Sequence, residues 1–191
     1  MLTPTVMPAD CRKCPLHAGR TNIVTFRGQY DRPDVLFVGE APGATEDEQG
    51  VPFVGRSGQL LDRWIAEMGV TRYLVSNICR CRPPNNRPPT REEAATCGAH
   101  LAHLILQARP RQIVALGRTS ERWLLENGYA PLFIYHPSYY LRGYRKWEPD
   151  VAALGELLRT APPLTEWEPK PVAAAPKKRG RGPKKKDAEA S

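Results

Sequence analysis

A chain of 191 residues can bury one hydrophobic core without cross-links, and no apolar run in it approaches the roughly 20 residues of a membrane-spanning helix. The formal charge of +8 is gathered at the C-terminus: residues 170–191 hold six lysines and two arginines against one aspartate and one glutamate, which leaves the body at about +2 and makes net charge a poor guide to what that body binds. Five cysteines, an odd number, in a chain whose N-terminus MLTPTVMPADCRKC lacks the charged-then-apolar order of a signal peptide, argue against a disulfide framework and for metal or cluster ligation, with a cytoplasmic location expected.

Cys11 and Cys14 form a C-x-x-C followed by Pro15 and Leu16, a spacing that serves a redox pair or half a metal site, or arises by chance. Residues 20–31 are polar and read as a loop. The first strand is predicted over residues 35–39, VLFVG, followed by the turn Glu40, Ala41, Pro42, Gly43, an acidic loop, and the segment around Pro52, Phe53 and Gly55. Leu60, Leu61, Trp64, Ile65 and Met68 then recur at helical spacing up to Gly69, a C-terminal cap. Further strands are predicted over residues 73–77, 113–117 and 132–136. Between them Thr90 and Glu93 make a capping box for a helix that ends before Pro110, and a shorter helix spans 119–126. Pro149 opens a last helix bearing Val151, Leu154, Leu157 and Leu158.

Strands alternating with helices predict an α/β fold, a three-layer sandwich with a mostly parallel four-stranded central sheet. All strands then end on one side, delivering Gly39, Glu40 and Ala41 from the first, Asn77 from the second, Gly117 from the third and His136 from the fourth. A carboxylate, an amide and an imidazole beside Phe53 make a pocket with a flat apolar wall and few polar groups, suited to a planar heterocycle. The turn contains no G-x-x-x-x-G-K-[ST] and carries acid instead of lysine, which disfavours a nucleotide-phosphate site. One domain is expected over residues 1–160. Residues 161–191, rich in proline, alanine and lysine, are expected to be a disordered basic tail, either a solvated end or a non-specific phosphate tether.

Three stretches, GEAPGATEDEQGVPFVGRSGQLLD, SNICRCRPPNNRPPT and HPSYYLR, resemble the motif regions of the family 4, iron–sulfur uracil-DNA glycosylases, and the resemblance covers residues 11–158. It implies excision of uracil from single- or double-stranded DNA by a monomer, and a [4Fe-4S] cluster on Cys11, Cys14, Cys81 and Cys97, the positions that match the family pattern. A zinc site on the same four thiolates is the alternative, and Cys79 is left as a small buried side chain. It also implies that Phe53 stacks on the flipped base, Asn77 reads its polar edge, and His136 stabilises the departing anion, with backbone of Gly39, Glu40 and Ala41 completing the uracil site. Other branches have an aspartate where this chain has Ala41, so the carboxylate that acts on water is sought at Glu40 or Glu46, with Asp47 a weaker candidate. After His136, the resemblance brings Ser138, Tyr139, Tyr140, Leu141, Arg142, Arg145 and Lys146 to the DNA, an aromatic or Leu141 filling the gap left by the base; Arg80, Arg82 and Arg87 would extend that surface.

Two rivals remain. One is a superfamily branch that traps uracil covalently through a histidine after the second strand, where this chain reads RPPNNRPPT with no histidine. The other is a non-catalytic iron–sulfur DNA-binding module associated with replication.

Overall fold

The computed structural model describes residues 10–165. The basic stretch 170–191, and with it the tether reading, lies outside the described residues. Five strands, β1 (Phe26–Gly28), β2 (Val35–Gly39), β3 (Tyr73–Asn77), β4 (Gln112–Leu116) and β5 (Leu132–Ile134), form one sheet in the order β1-β3-β2-β4-β5. The helices are α1 (Ala44–Gln49), α2 (Arg56–Glu67), α3 (Arg91–Ala108), α4 (Arg118–Glu126), α5 (Pro137–Leu141) and α6 (Glu148–Thr160). Strands β2 to β5 are parallel, and β1 runs antiparallel to β3 at the edge.

Every residue of β2 and β4 is buried, as expected of parallel strands covered on both faces. Side chains alternate between two cores. Leu36, Val38, Leu74, Ile113 and Ala115 pack with Leu101, Leu104 and Ile105 of α3 and Leu124 of α4. Val35, Phe37, Val75, Val114 and Leu116 pack on the other side with Leu61, Trp64 and Ile65 of α2 and Val151 and Leu154 of α6. The three-layer α/β architecture expected from the alternation is therefore present. Helix α3 starts at its capping box, Thr90 Oγ1 accepting from the Glu93 N–H at 3.2 Å and Glu93 accepting from the Thr90 N–H at 2.8 Å.

The sheet has five strands where four were expected. The extra one, β1, lies in the segment read as a loop; it is three residues long and pairs Phe26 with Ser76 and Gly28 with Leu74. The acidic loop after β2 is a six-residue helix, α1. Its sequence ATEDEQ has no apolar stripe, and it forms because Glu46 accepts from the Gly43 N–H at its start and Gly50 (φ 71°) ends it in the left-handed conformation. The predicted strands at 113–117 and 132–136 end early: Gly117 caps α4, and His136 caps α5. Past α6 the chain returns to the sheet, where Gln112 Nε2 donates to the Ala161 and Pro162 carbonyls and the Leu164 N–H donates to the Arg111 carbonyl at 2.9 Å.

Candidate active site

The carboxyl ends of the adjacent strands β2 and β3 are sewn together. Gly39 pairs with Asn77, the Ile78 N–H donates to the Gly39 carbonyl and the Cys79 N–H to the Glu40 carbonyl, each at 3.0 Å. Asn77 is 2% exposed, and its Oδ1 has no hydrogen-bond partner among the described residues. A Cβ at residue 39 would stand 2.3 Å from that Oδ1 and 2.6 Å from Cζ of Phe53, so glycine is required for the amide and the ring to meet over the strand end. The Phe53 ring in turn lies 5.7 Å from the His136 ring, tilted by 39°. Asn77 and Phe53 thus meet at Gly39, and Phe53 links them to His136.

Phe53 has φ 56°, a conformation that bulky residues adopt only when their surroundings impose it. Here the surroundings are explicit. One oxygen of Glu46 accepts from the N–H groups of Val54 (3.0 Å) and Gly55 (2.8 Å), and the other accepts from Gly43 (3.1 Å). Arg27 on β1 donates through Nε to the Pro52 carbonyl at 2.9 Å and pairs with Asp62 of α2. Gly58 lets the first turn of α2 pass beneath the loop, since a Cβ there would lie 1.8 Å from the Phe53 carbonyl oxygen. Asp47 is buried and accepts from the Thr21 and Asn22 N–H groups, which fixes α1 to the N-terminal arm. Both oxygens of the Asp47 carboxylate are engaged by these backbone N–H groups.

His136 stands at the start of α5. Its Nδ1 accepts from the Ser138 N–H at 3.2 Å and is 2.9 Å from Ser138 Oγ, while Arg142 Nη2 donates to that same Oγ at 3.1 Å. With Nδ1 occupied as an acceptor, the proton of the neutral ring sits on Nε2. Desolvation, reinforced by the Arg142 cation and opposed by Glu46, pushes the imidazole down to about 4. A neutral histidine with a free Nε2–H is a donor held ready for an electron-rich atom.

Glu40 is half-buried and its carboxylate has no partner among the described residues, in contrast to the fully occupied Glu46. Ala41 packs against the α3 side of the core. The residues expected at the nucleic acid divide. Leu141, Arg142 and Arg145 are exposed, though Arg145 pairs with Asp150 at 2.6 Å. Tyr139 is half-buried within a run of rings, 4.7 Å from Tyr135 and 5.1 Å from the exposed Tyr144, and Arg118 covers Phe133 at 4.1 Å. Tyr140 does not reach the surface: it is buried edge-on against Trp64, and its hydroxyl donates to Asp150 at 2.7 Å. Nor does Arg80, which is fully buried. Arg87 is engaged in a two-pronged pair with Glu93 that holds the Glu93 carboxyl down at about 2. Arg82 bonds Asn86 at 2.7 Å.

All five cysteines are free thiols. Cys11, Cys14, Cys81 and Cys97 line one small pocket with His17 and Arg20, and Cys79 is not among its walls. The pocket is closed by the turn Pro15–Ala18, whose His17 donates to the Cys14 carbonyl at 2.8 Å, and by α3. Cys79, behind the pocket, donates its S–H toward Cys97; with the Arg80 N–H at 3.3 Å and the Arg80 cation, this lowers the Cys97 thiol and raises that of Cys79. Among the described residues no three histidines, cysteines or acids stand as a group that could hold a single metal ion.

Arg27 and Arg118 were not anticipated. Arg27 lies in a three-residue strand without periodicity, and Arg118 two residues past a strand end, a place where its type alone carries no signal.

Residues 27–159 match the model of the uracil DNA glycosylase superfamily. The chain is similar to a type-4 uracil-DNA glycosylase of Pyrobaculum aerophilum, 48% identical over 119 residues, which cover 61% of this chain and 60% of that protein. It is similar to the type-4 uracil-DNA glycosylase of Thermotoga maritima, 41% identical over 151 residues, 69% of this chain and 78% of that protein. That of Archaeoglobus fulgidus is 45% identical over 117 residues, 60% of this chain and 58% of that protein. The chain spans about three fifths of the length of the first and third of these relatives.

Proposed function

The chain belongs to the uracil-DNA glycosylase superfamily, and from that membership we propose that it hydrolyses the N-glycosidic bond of uracil rotated out of DNA, initiating base excision repair. The observation that carries the reading is the buried, unpartnered Oδ1 of Asn77, which with the Phe53 ring crowds Gly39. A polar atom without a partner in a core is costly unless a ligand satisfies it. Uracil offers a ring N–H to that oxygen and a carbonyl to the amide's N–H, so one asparagine reads both groups that distinguish uracil from cytosine. Phe53 stacks on the base. The His136 Nε2–H donates to the carbonyl beside the breaking bond, where negative charge gathers as the base leaves. The sugar becomes cationic in the same step, and the free carboxylate of Glu40 stabilises it and orients the water that captures it.

Glu46, with both oxygens taken by backbone N–H groups, holds the Phe53 loop instead of touching water. The two acids therefore separate by experiment. Glu40→Gln should lower the single-turnover rate with little change in affinity for uracil-containing DNA, whereas Glu46→Gln should weaken affinity as well, because it loosens the stacking ring. Equal kinetic defects confined to the chemical step would return Glu46 to the water.

The thiols of Cys11, Cys14, Cys81 and Cys97 suit a [4Fe-4S] cluster. An all-cysteine donor set fits either iron–sulfur or zinc, but a tetrahedral zinc draws all four sulfurs to about 2.3 Å from one point, whereas each cluster thiolate binds its own iron. The cluster's contribution is structural, cross-linking the N-terminal arm, the segment after β3 and α3. Ser138 and Arg142 orient His136, and Tyr139, Leu141, Tyr144, Arg142 and Arg145 form the surface that meets the strand. We further propose that it acts as a monomer, in the cytoplasm, on its DNA substrate.

The decisive assay is incubation with a uracil-containing oligonucleotide, then alkali and inspection for strand scission. Scission is expected, with loss of about 100-fold or more in Asn77→Ala, since a site built around a hydrogen bond discriminates strongly once the bond is gone. DNA binding without an abasic product would support the non-catalytic module, and a product bound covalently would support the uracil-trapping branch.

A further inference from the structure

Among the described residues Arg80 alone is a buried cation, with no exposed surface. Its Nη1 donates to the Thr25 carbonyl and to Ser76 Oγ at 2.6 Å, but Nε and Nη2 have no partner, and no carboxylate pairs with it among the described residues. An uncompensated charge is among the most costly things a core can hold, so a group of opposite sign should stand near it. The groups that act on it electrostatically are the Cys97 and Cys79 sulfurs, and its own backbone N–H donates to Cys97 Sγ at 3.3 Å. From the N-terminal arm Arg20 reaches the same pocket, with Nη1 3.6 Å from Cys81 Sγ and 2.7 Å from the Cys11 carbonyl. Four thiolates around an oxidised [4Fe-4S] core make a net dianion, and two arginines supply two charges.

We propose that Arg80 is the buried counter-charge of the cluster held by Cys11, Cys14, Cys81 and Cys97, balancing it from the sheet side as Arg20 does from the arm. The inference rests on the cluster reading above. Adding an electron makes the cluster more negative, so removal of a nearby cation disfavours reduction and loosens the thiolates.

The test uses the full-length protein purified anaerobically with its iron and sulfide. Arg80→Gln keeps donors for Thr25 and Ser76 without the charge, and Arg80→Lys keeps the charge. In the glutamine variant one-electron reduction should be at least about tenfold less favourable, a midpoint potential lower by about 59 mV, and iron should pass to a chelator faster. The lysine variant should stay near wild type in both. A glutamine variant with wild-type potential and wild-type iron release overturns the proposal. If the glutamine protein does not accumulate while the lysine protein does, the charge is required and the proposal stands; if neither accumulates, guanidinium shape is what matters and the proposal falls. Wild-type protein without iron and sulfide removes the cluster reading itself, whereas iron-loaded protein with indifferent variants removes only the counter-charge.

Discussion

Replacing His136 with alanine is expected to slow uracil excision about 100- to 1000-fold, the usual effect of deleting a donor that meets developing negative charge. Binding of uracil-containing DNA should change little, because Phe53 and Asn77 hold the base independently of the imidazole. Single-turnover rates and fluorescence anisotropy on the same oligonucleotide separate the two quantities. The donor is the neutral ring, with Ser138 on Nδ1 and the proton on Nε2. Since its pKa is lowered from 6.5 to about 4, the rate should not lose a factor to protonation of this ring between pH 7 and 5, where a free imidazole would titrate. The same shift acts on stability. Between pH 6.5 and 4 the unfolded chain binds a proton that the folded chain refuses, so stability falls as pH drops through that window. His136→Gln should flatten that part of the pH–stability curve, and an unaltered slope would show that the folded ring titrates normally.

Gly39→Ala should cost at least about 100-fold in excision, because a displacement of about 1 Å in positioning groups has that effect. The new methyl would occupy the space between Asn77 Oδ1 and the Phe53 ring, forcing both away from where the base is held. The change sits at the end of a buried strand, so overpacking should also lower stability by about 1–3 kcal/mol. Circular dichroism should nonetheless remain native, as the atoms met are the far ends of two side chains. Near-normal excision by a folded Gly39→Ala protein would mean that the base is held elsewhere.

The parts of this fold that a sequence reveals are those whose burial leaves a pattern. β2 and β3 match the apolar runs 35–39 and 73–77 residue for residue, because a strand covered on both faces reads as continuous apolar sequence between turns. Helix α3 was announced by Thr90 and Glu93 at its start. β1 and α1 left no such trace: the first is three residues fixed by pairing with β3, and the second is held by a carboxylate and a glycine. Within the site, the positions of Gly39, Asn77 and His136 followed from where apolar runs end, and Phe53 from the proline–glycine loop that presents it. What Glu46 and Asp47 do did not, because an acid that clasps backbone N–H groups and an acid that faces water are the same letter. Tyr140 and Arg80 misled for a related reason, since residue types common at DNA surfaces are here buried, one against Trp64 and one behind Cys97.

Asp47 ties two regions that sequence distance would keep apart. Its carboxylate receives the Thr21 and Asn22 N–H groups, while the neighbouring Glu46 receives those of Val54 and Gly55. The arm that begins at Cys11 and the loop that presents Phe53 are therefore consecutive links of one chain of hydrogen bonds through α1. They should open together as a single cooperative unit, so that the amides of Val54 and Gly55 exchange with solvent at the rate set by release of the arm, far from the ring they support.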